Sequence, residues 1–270
     1  MTDLSYPTAV VSSPSSSIIV DVQQSGAVEI WLNRPERLNA LGVEMVETLQ
    51  KAVDGALAAG ATALVIRAKG RGFCAGADLK ERRTMTESDR HAHNRAINAA
   101  VNAVAAAPVP TIAVINGIAM GGGLELALGC DIRIAAESAQ IGLTEARIGA
   151  IPGAGGTQRL PRLIGISRAL DMMYTGEPVS ARTAFEIGLV NSCVADVDLD
   201  SAARRYIDII GSRSPSAART LKRVVCAGME VSLANGLEHE REALTTILGS
   251  ADYAEGLAAF AERRPPRFSR

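Results

Sequence analysis

The sequence predicts an α/β fold with mainly parallel strands. Short apolar, β-branched runs alternate with segments of three- and four-residue periodicity, and glycine-rich junctions separate several of them. After about residue 195 the strand signals thin out and helical segments follow one another, which predicts a helical region appended to the α/β core.

In chain order, SIIVDVQ (17–23) and AVEIWLN (27–33) read as the first two strands. Over residues 43–59, Val43, Val46, Leu49, Val53 and Leu57 recur at helical spacing. ATALVIRA (61–68) is a short apolar run with the character of a buried strand. GRGFCAGADLKE is a glycine-broken loop leading into a helix, and residues 88–106 form another helix. PVPTIAVING (108–117) is a β-branched run bounded by prolines and ending in Asn-Gly, so it is a strand. IAMGGGLELALGCD (118–131) reads as a loop entering a helix, and DIRIAA (131–136) as a further strand. The β-α-β-α-β-α-β order favours parallel pairing through crossover helices. No internal repeat at a fixed period is visible. The expected organisation is a disordered tail over residues 1–17, an α/β core over 18–195 and a helical region over 196–270.

Composition narrows the function. With 28 basic and 29 acidic residues the formal net charge is −1, which points to neither a polyanion nor a membrane-surface partner. Aromatics make up only 3%, so the core must be aliphatic and alanine-rich. The four cysteines lie far apart without CxxC or CxxH spacing and read as free thiols. His91 and His93 are two residues apart, face different directions on a helix and read as surface residues, and no metal site is expected. The tail MTDLSYPTAVVSSPSSS has no basic start, no apolar core and no Lys or Arg, unlike a secretory or mitochondrial leader. No apolar run reaches membrane-spanning length, and a soluble, cytoplasmic protein is expected.

Three segments carry candidate chemistry. The glycines at 121–123 fit neither a P-loop nor a GxGxxG fingerprint, and GAGGTQR (153–159) fits neither as well. Glycines before a helix serve either close ligand approach with free N–H groups or a tight packing turn. Glu125 is the only charge between Ile118 and Cys130, and an ionised carboxylate in a buried helix is costly unless paired or used. A second carboxylate, Glu145, lies 20 residues further on among Ile141, Leu143, Ile148 and Ile151. Two carboxylates on separate elements can share one water as base and acid, an arrangement suited to adding water across a carbon–carbon bond or removing it. In FCAGADLKE (73–81), Ala-Gly-Ala offers free amides; paired with an amide from 121–123 they would bind a carbonyl oxygen as it becomes an oxyanion. Asp78 also fits a helix N-cap.

NRPERLNAL (33–41), GFCAGADLKE (72–81), PTIAVINGIAMGGGLELALGCDIRIAA (110–136), IGLTEARIGAIPGAGGTQRLPRLIG (141–165) and AERRPPRF near the end together resemble the crotonase (enoyl-CoA hydratase/isomerase) superfamily. The methylglutaconyl-CoA hydratases are the subgroup most resembled. The resemblance covers nearly everything after the tail. It implies a spiral of ββα repeats whose C-terminal helices build trimers, often paired into hexamers. It also implies that the Ala77 and Gly122 amides form the oxyanion hole and that Glu125 and Glu145 hold the catalytic water. Arg37, Leu38, Ala40, Ala75, Asp78, Leu79 and Lys80 would line the coenzyme A path. Phe260 and Arg263 match positions that reach coenzyme A, sometimes from a neighbouring subunit. The implied reaction is syn hydration of a 2-enoyl-CoA in fatty-acid or branched-chain amino-acid breakdown, with no cofactor beyond the coenzyme A of the substrate.

Isomerases, thioester hydrolases, decarboxylases and dehalogenases share the superfamily; two glutamates favour hydration, with isomerisation as the alternative. RNA binding by a basic helix is disfavoured because residues 43–61 carry one Lys against Glu44, Glu47 and Asp54. A catalytically inert acyl-CoA-binding protein is disfavoured by the presence of both glutamates.

Overall fold

The computed structural model describes residues 16–269, so residues 1–15 of the expected tail lie outside the described residues. β1 (Ile18–Val22) and β2 (Ala27–Leu32) form an antiparallel hairpin, followed by helix α1 (Val43–Ala58). Then β3 (Ala63–Ala68) leads to β4 (Gly72–Cys74) and helices α2 (Leu79–Arg82) and α3 (Glu87–Ala106). β5 (Thr111–Ile115) leads to β6 (Ile118–Met120) and α4 (Gly122–Leu128), and β7 (Ile132–Ala136) leads to β8 (Gln140–Gly142). After a 3₁₀ turn at Glu145–Ile148 come α5 (Gly156–Ile164), α6 (Ile166–Thr175), β9 (Val179–Ser180), α7 (Ala181–Glu186) and β10 (Ser192–Val194). Helices α8 (Leu199–Gly211), α9 (Pro215–Gly228), α10 (Leu233–Leu248) and α11 (Ala251–Ala261) complete the chain.

The strands form two sheets, ordered β1-β2-β3-β5-β7-β10 and β4-β6-β8-β9. From β2 to β10 every pairing in the large sheet is parallel, and β4, β6 and β8 are mutually parallel. Each turn of chain therefore gives its first strand to the large sheet and its second to the small one. This is the ββα spiral in which β3/β4, β5/β6 and β7/β8 are successive turns.

Leu64, Ile66, Ala113 and Ile115 of the large sheet pack into the main core with Leu49 and Val53 of α1 and Ile97, Val101 and Val104 of α3. The alternate residues Val65, Ile112, Val114 and Ile134 meet Leu199, Ala203 and Ile207 of α8 on the other face. A large sheet buried on both faces explains its unbroken apolar runs. Helix α3 opens with a capping box in which the Thr86 and Asp89 side chains each accept the other's backbone N–H.

Two expected loops prove to contain strands. GFC (72–74) is β4 and IAM (118–120) is β6, each three residues long and paired with the other. The surface reading of His93 is corrected: the residue is only 4% exposed, because His93, Ile97, Ala100, Val101 and Val104 form the buried stripe of α3. The four cysteines are unpaired, Cys74 and Cys130 being buried. Among the described residues no helix is long and apolar enough to cross a membrane.

Candidate active site

Parallel strands β4, β6 and β8 end at the same edge of the small sheet, and the segments leaving that edge surround a cleft of about 400 Å³. Clefts beyond the carboxyl ends of parallel strands are the usual ligand sites of open α/β sheets. Ala75, Gly76 and Ala77 enter after β4, Gly121, Gly122 and Glu125 after β6, and Thr144 and Glu145 after β8.

The glycines make this convergence possible. Gly121 has φ +51°, and a Cβ there would lie 2.9 Å from Glu145 Oε1. At Gly123 a Cβ would sit 2.2 Å from the Cys74 carbonyl oxygen, so α4 starts directly against the end of β4. A Cβ placed on Gly122 would be 3.7 Å from Ala77 N, which sets the two backbones side by side. Gly122 opens α4, so its N–H has no intrahelical acceptor. The bridge between Leu41 and the 76–78 segment uses Gly76 O and Asp78 N, leaving Ala77 N without an acceptor among the described residues. Two free amides thus lie together beside both glutamates.

Glu125 is 3% exposed, and its Oε1 accepts from Ala154 N at 2.6 Å and Gly156 N at 2.8 Å. Gly156 starts α5, so the carboxylate caps a helix N-terminus from another element. Burial pushes its pKa up, while the Gly156, Ala154 and Gly153 amides and the Arg159 guanidinium pull it back. The donor loop is itself held: Arg159 donates to Ala154 O at 2.9 Å and to Asn102 Oδ1 at 2.7 Å, and Asn98 Nδ2 donates to Gly153 O at 3.1 Å.

Glu145 starts the 3₁₀ turn after β8. Its Oε2 is buried without a hydrogen-bond partner among the described residues. Burial raises its pKa to about 7, with the Glu125 charge adding to the rise and its own backbone amide and Arg82 opposing it. The two carboxyls sense one another across one cleft, one bound by amides and the other held ready to keep a proton. Such a divergence marks an acid/base pair.

Of the residues expected on the coenzyme A path, Ala75 and Leu79 line the cleft. Asp78 is the α2 N-cap, accepting from Lys80 N and Glu81 N, and it pairs with Arg34 at 3.5 Å. Leu38, Ala40, Arg37 and Lys80 stand outside the lining; Leu38 O accepts Ala75 N at 3.0 Å, and Arg37 and Lys80 are exposed. Phe260 and Arg263 also fall outside the lining, and Phe260 is 86% exposed on α11. Ile148 and Ile151, two of the apolar sequence neighbours of Glu145, are exposed residues of the cleft wall.

Three residues that line the cleft or brace a loop beside it escape a reading of the sequence. Asn39, buried with φ +55°, donates to Lys69 O and Gly72 O and accepts Arg34 N, pinning the 34–40 loop. Arg82 lines the cleft, and the charges of both glutamates act on it. Asn94 of α3 also lines the cleft. Arg82 carries a weak signal, a cation in the first turns after the Ala-Gly-Ala amides, whereas Asn39 and Asn94 carry none.

The enoyl-CoA hydratase/isomerase family matches residues 22–270. Probable enoyl-CoA hydratase 2 of Arabidopsis thaliana is 42% identical over 247 residues, 91% of this chain and 82% of that protein. Human methylglutaconyl-CoA hydratase is 40% identical over 255 residues, 92% of this chain and 75% of that protein. The crystal structure of enoyl-CoA hydratase from Bacillus anthracis superposes with a TM-score of 0.91 at 42% identity, covering 93% of this chain and 98% of that one. Family match, near-complete coverage and spiral architecture agree, and this chain belongs to the enoyl-CoA hydratase/isomerase family.

Proposed function

We propose that this chain is an enoyl-CoA hydratase that adds water reversibly across the 2,3 double bond of a 2-enoyl-CoA. The observation that carries this reading is the joint opening of two free amides, Ala77 N and Gly122 N, and two unlike carboxyls, Glu125 and Glu145, into one cleft. The thioester carbonyl accepts from both amides, which stabilise the enolate formed during addition; one such donor is worth about 3–4 kcal/mol in the transition state. Glu125, ionised, takes a proton from water as its oxygen bonds to C3. The electron pair of the double bond moves onto the thioester oxygen. Glu145, protonated, then gives its proton to C2, and the product is a 3-hydroxyacyl-CoA. The reaction is redox-neutral and uses no cofactor beyond the coenzyme A of the substrate.

The test is to follow loss of conjugated absorbance with crotonyl-CoA. Glu125→Gln and Glu145→Gln should each lower turnover by roughly 10²–10⁴-fold. Near-normal turnover in either variant removes that residue from the mechanism. Parallel incubation with a 3-enoyl-CoA distinguishes isomerisation, which would create conjugated absorbance.

Arg82 supports a finer substrate. A cation in the cleft suits an acyl group that ends in a carboxylate, as in the thioester that names the methylglutaconyl-CoA hydratases. Comparing kcat/KM on crotonyl-CoA and 3-methylglutaconyl-CoA tests this. Helices α9–α11 expose Leu221, Val225, Met229, Leu233 and Phe260, which supports self-association as a trimer or a pair of trimers. A neighbouring copy would then bring Phe260 and Arg263 to the cleft. Sedimentation of the wild type and of Met229→Glu measures that association.

A further inference from the structure

His93 takes no part in the hydration steps, yet it is buried and bonded to the cleft. Its Nδ1 accepts a hydrogen bond from Arg82 Nε at 3.3 Å. A ring that accepts at Nδ1 is neutral with its proton on Nε2. Burial and the neighbouring Arg82 charge both hold this imidazole's pKa below its ordinary value, against the Leu41 carbonyl, Glu81 and Asp78.

Arg82 is thereby tethered on one edge only. Nε is spent on His93, while Nη1 and Nη2 have no acceptor among the described residues, and the side chain lines the cleft with both glutamates. An arginine side chain free to rotate loses rotamer entropy when it is fixed. A guanidinium anchored through Nε to His93, in the first third of a twenty-residue helix, has already given up part of that freedom before a substrate arrives.

We propose that His93 is a positioning residue that holds the Arg82 fork toward the cleft, where it selects thioesters whose acyl group ends in a carboxylate. The inference rests on the enoyl-CoA reading of the cleft and adds to it the residue that sets acyl selectivity.

The test uses binding of saturated thioesters, which needs no turnover. Butyryl-CoA and glutaryl-CoA are titrated by calorimetry into the full-length wild type, His93→Phe and His93→Asn. The wild type should bind glutaryl-CoA more tightly than butyryl-CoA. His93→Phe should lose about 10-fold of that preference, the scale of one charge-assisted hydrogen bond. In His93→Asn the side-chain oxygen can stand in for Nδ1 and should restore most of it. A preference unchanged in His93→Phe, lost equally in both variants, or absent from the wild type overturns the assignment. Binding with the expected pattern but no hydration of any 2-enoyl-CoA overturns the hydratase reading alone.

Discussion

Glu125 and Glu145 are the same side chain in two opposite settings. Glu125 lies on a helix within the core, and the start of a second helix supplies its hydrogen bonds. Glu145 lies on a short turn after a three-residue strand, with one oxygen buried and unbonded among the described residues. Burial discourages a charge in both settings, but in the first the amides leading into another helix offset much of that cost. In the proposed mechanism the amides delivered to each carboxyl, more than burial alone, separate the base from the acid.

The largest effect that separates the two settings is structural. Glu125→Ala removes the acceptor of two buried amides and should cost about 1–3 kcal/mol for each donor left unpaired. Glu145→Ala removes an oxygen that had no partner and should cost far less. Urea unfolding of the two variants measures the difference, and equal losses would erase the distinction.

Next in size is the pH dependence. Hydration needs Glu145 protonated, so kcat/KM should fall as pH rises through about 7, and this limb should vanish in Glu145→Gln. Stability follows the same group. Its folded pKa is raised, so its contribution is fully present below the unfolded value and is lost as pH rises through about 7. Relative to wild type, Glu145→Gln should therefore gain stability between pH 5 and pH 8. A pH-independent difference would mean that Glu145 ionises normally.

The smallest effect concerns the loop behind Glu125. Arg159→Gln loses the fixed guanidinium bonds to Ala154 O and Asn102, and about 1 kcal/mol, or roughly five-fold in kcat/KM, is expected. A loss as large as that of Glu125→Gln would make Arg159 part of the acid–base machinery itself.

The legible parts of the molecule were those with local signals. β3, β5 and β7 are apolar runs buried on both faces, and α1 and α3 show helical spacing. Glu125 was visible as the one charge in an apolar segment. β4, β6 and β8 were not visible, because three residues show no periodicity and each is a strand only by pairing with a distant turn. His93 was misread from its neighbour His91, although its four-residue spacing to Ile97 already placed it on the buried stripe. Asn39 escaped because its work is done through backbone carbonyls 30 and 33 residues away.

The small sheet has a consequence for the order of events at the substrate. Neighbouring strands stand about 4.8 Å apart. Ala77 follows β4, Gly122 follows β6 and Glu145 follows β8. In the proposed mechanism the carbonyl therefore rests between the first two strand ends, and the carbons being protonated and hydroxylated lie toward the third. The strand ladder works as a ruler laid along the acyl group, graduated in hydrogen-bonded steps. Lengthening a connection elsewhere in the spiral leaves those graduations unchanged, whereas slipping one strand by a single residue moves a reacting group off its mark.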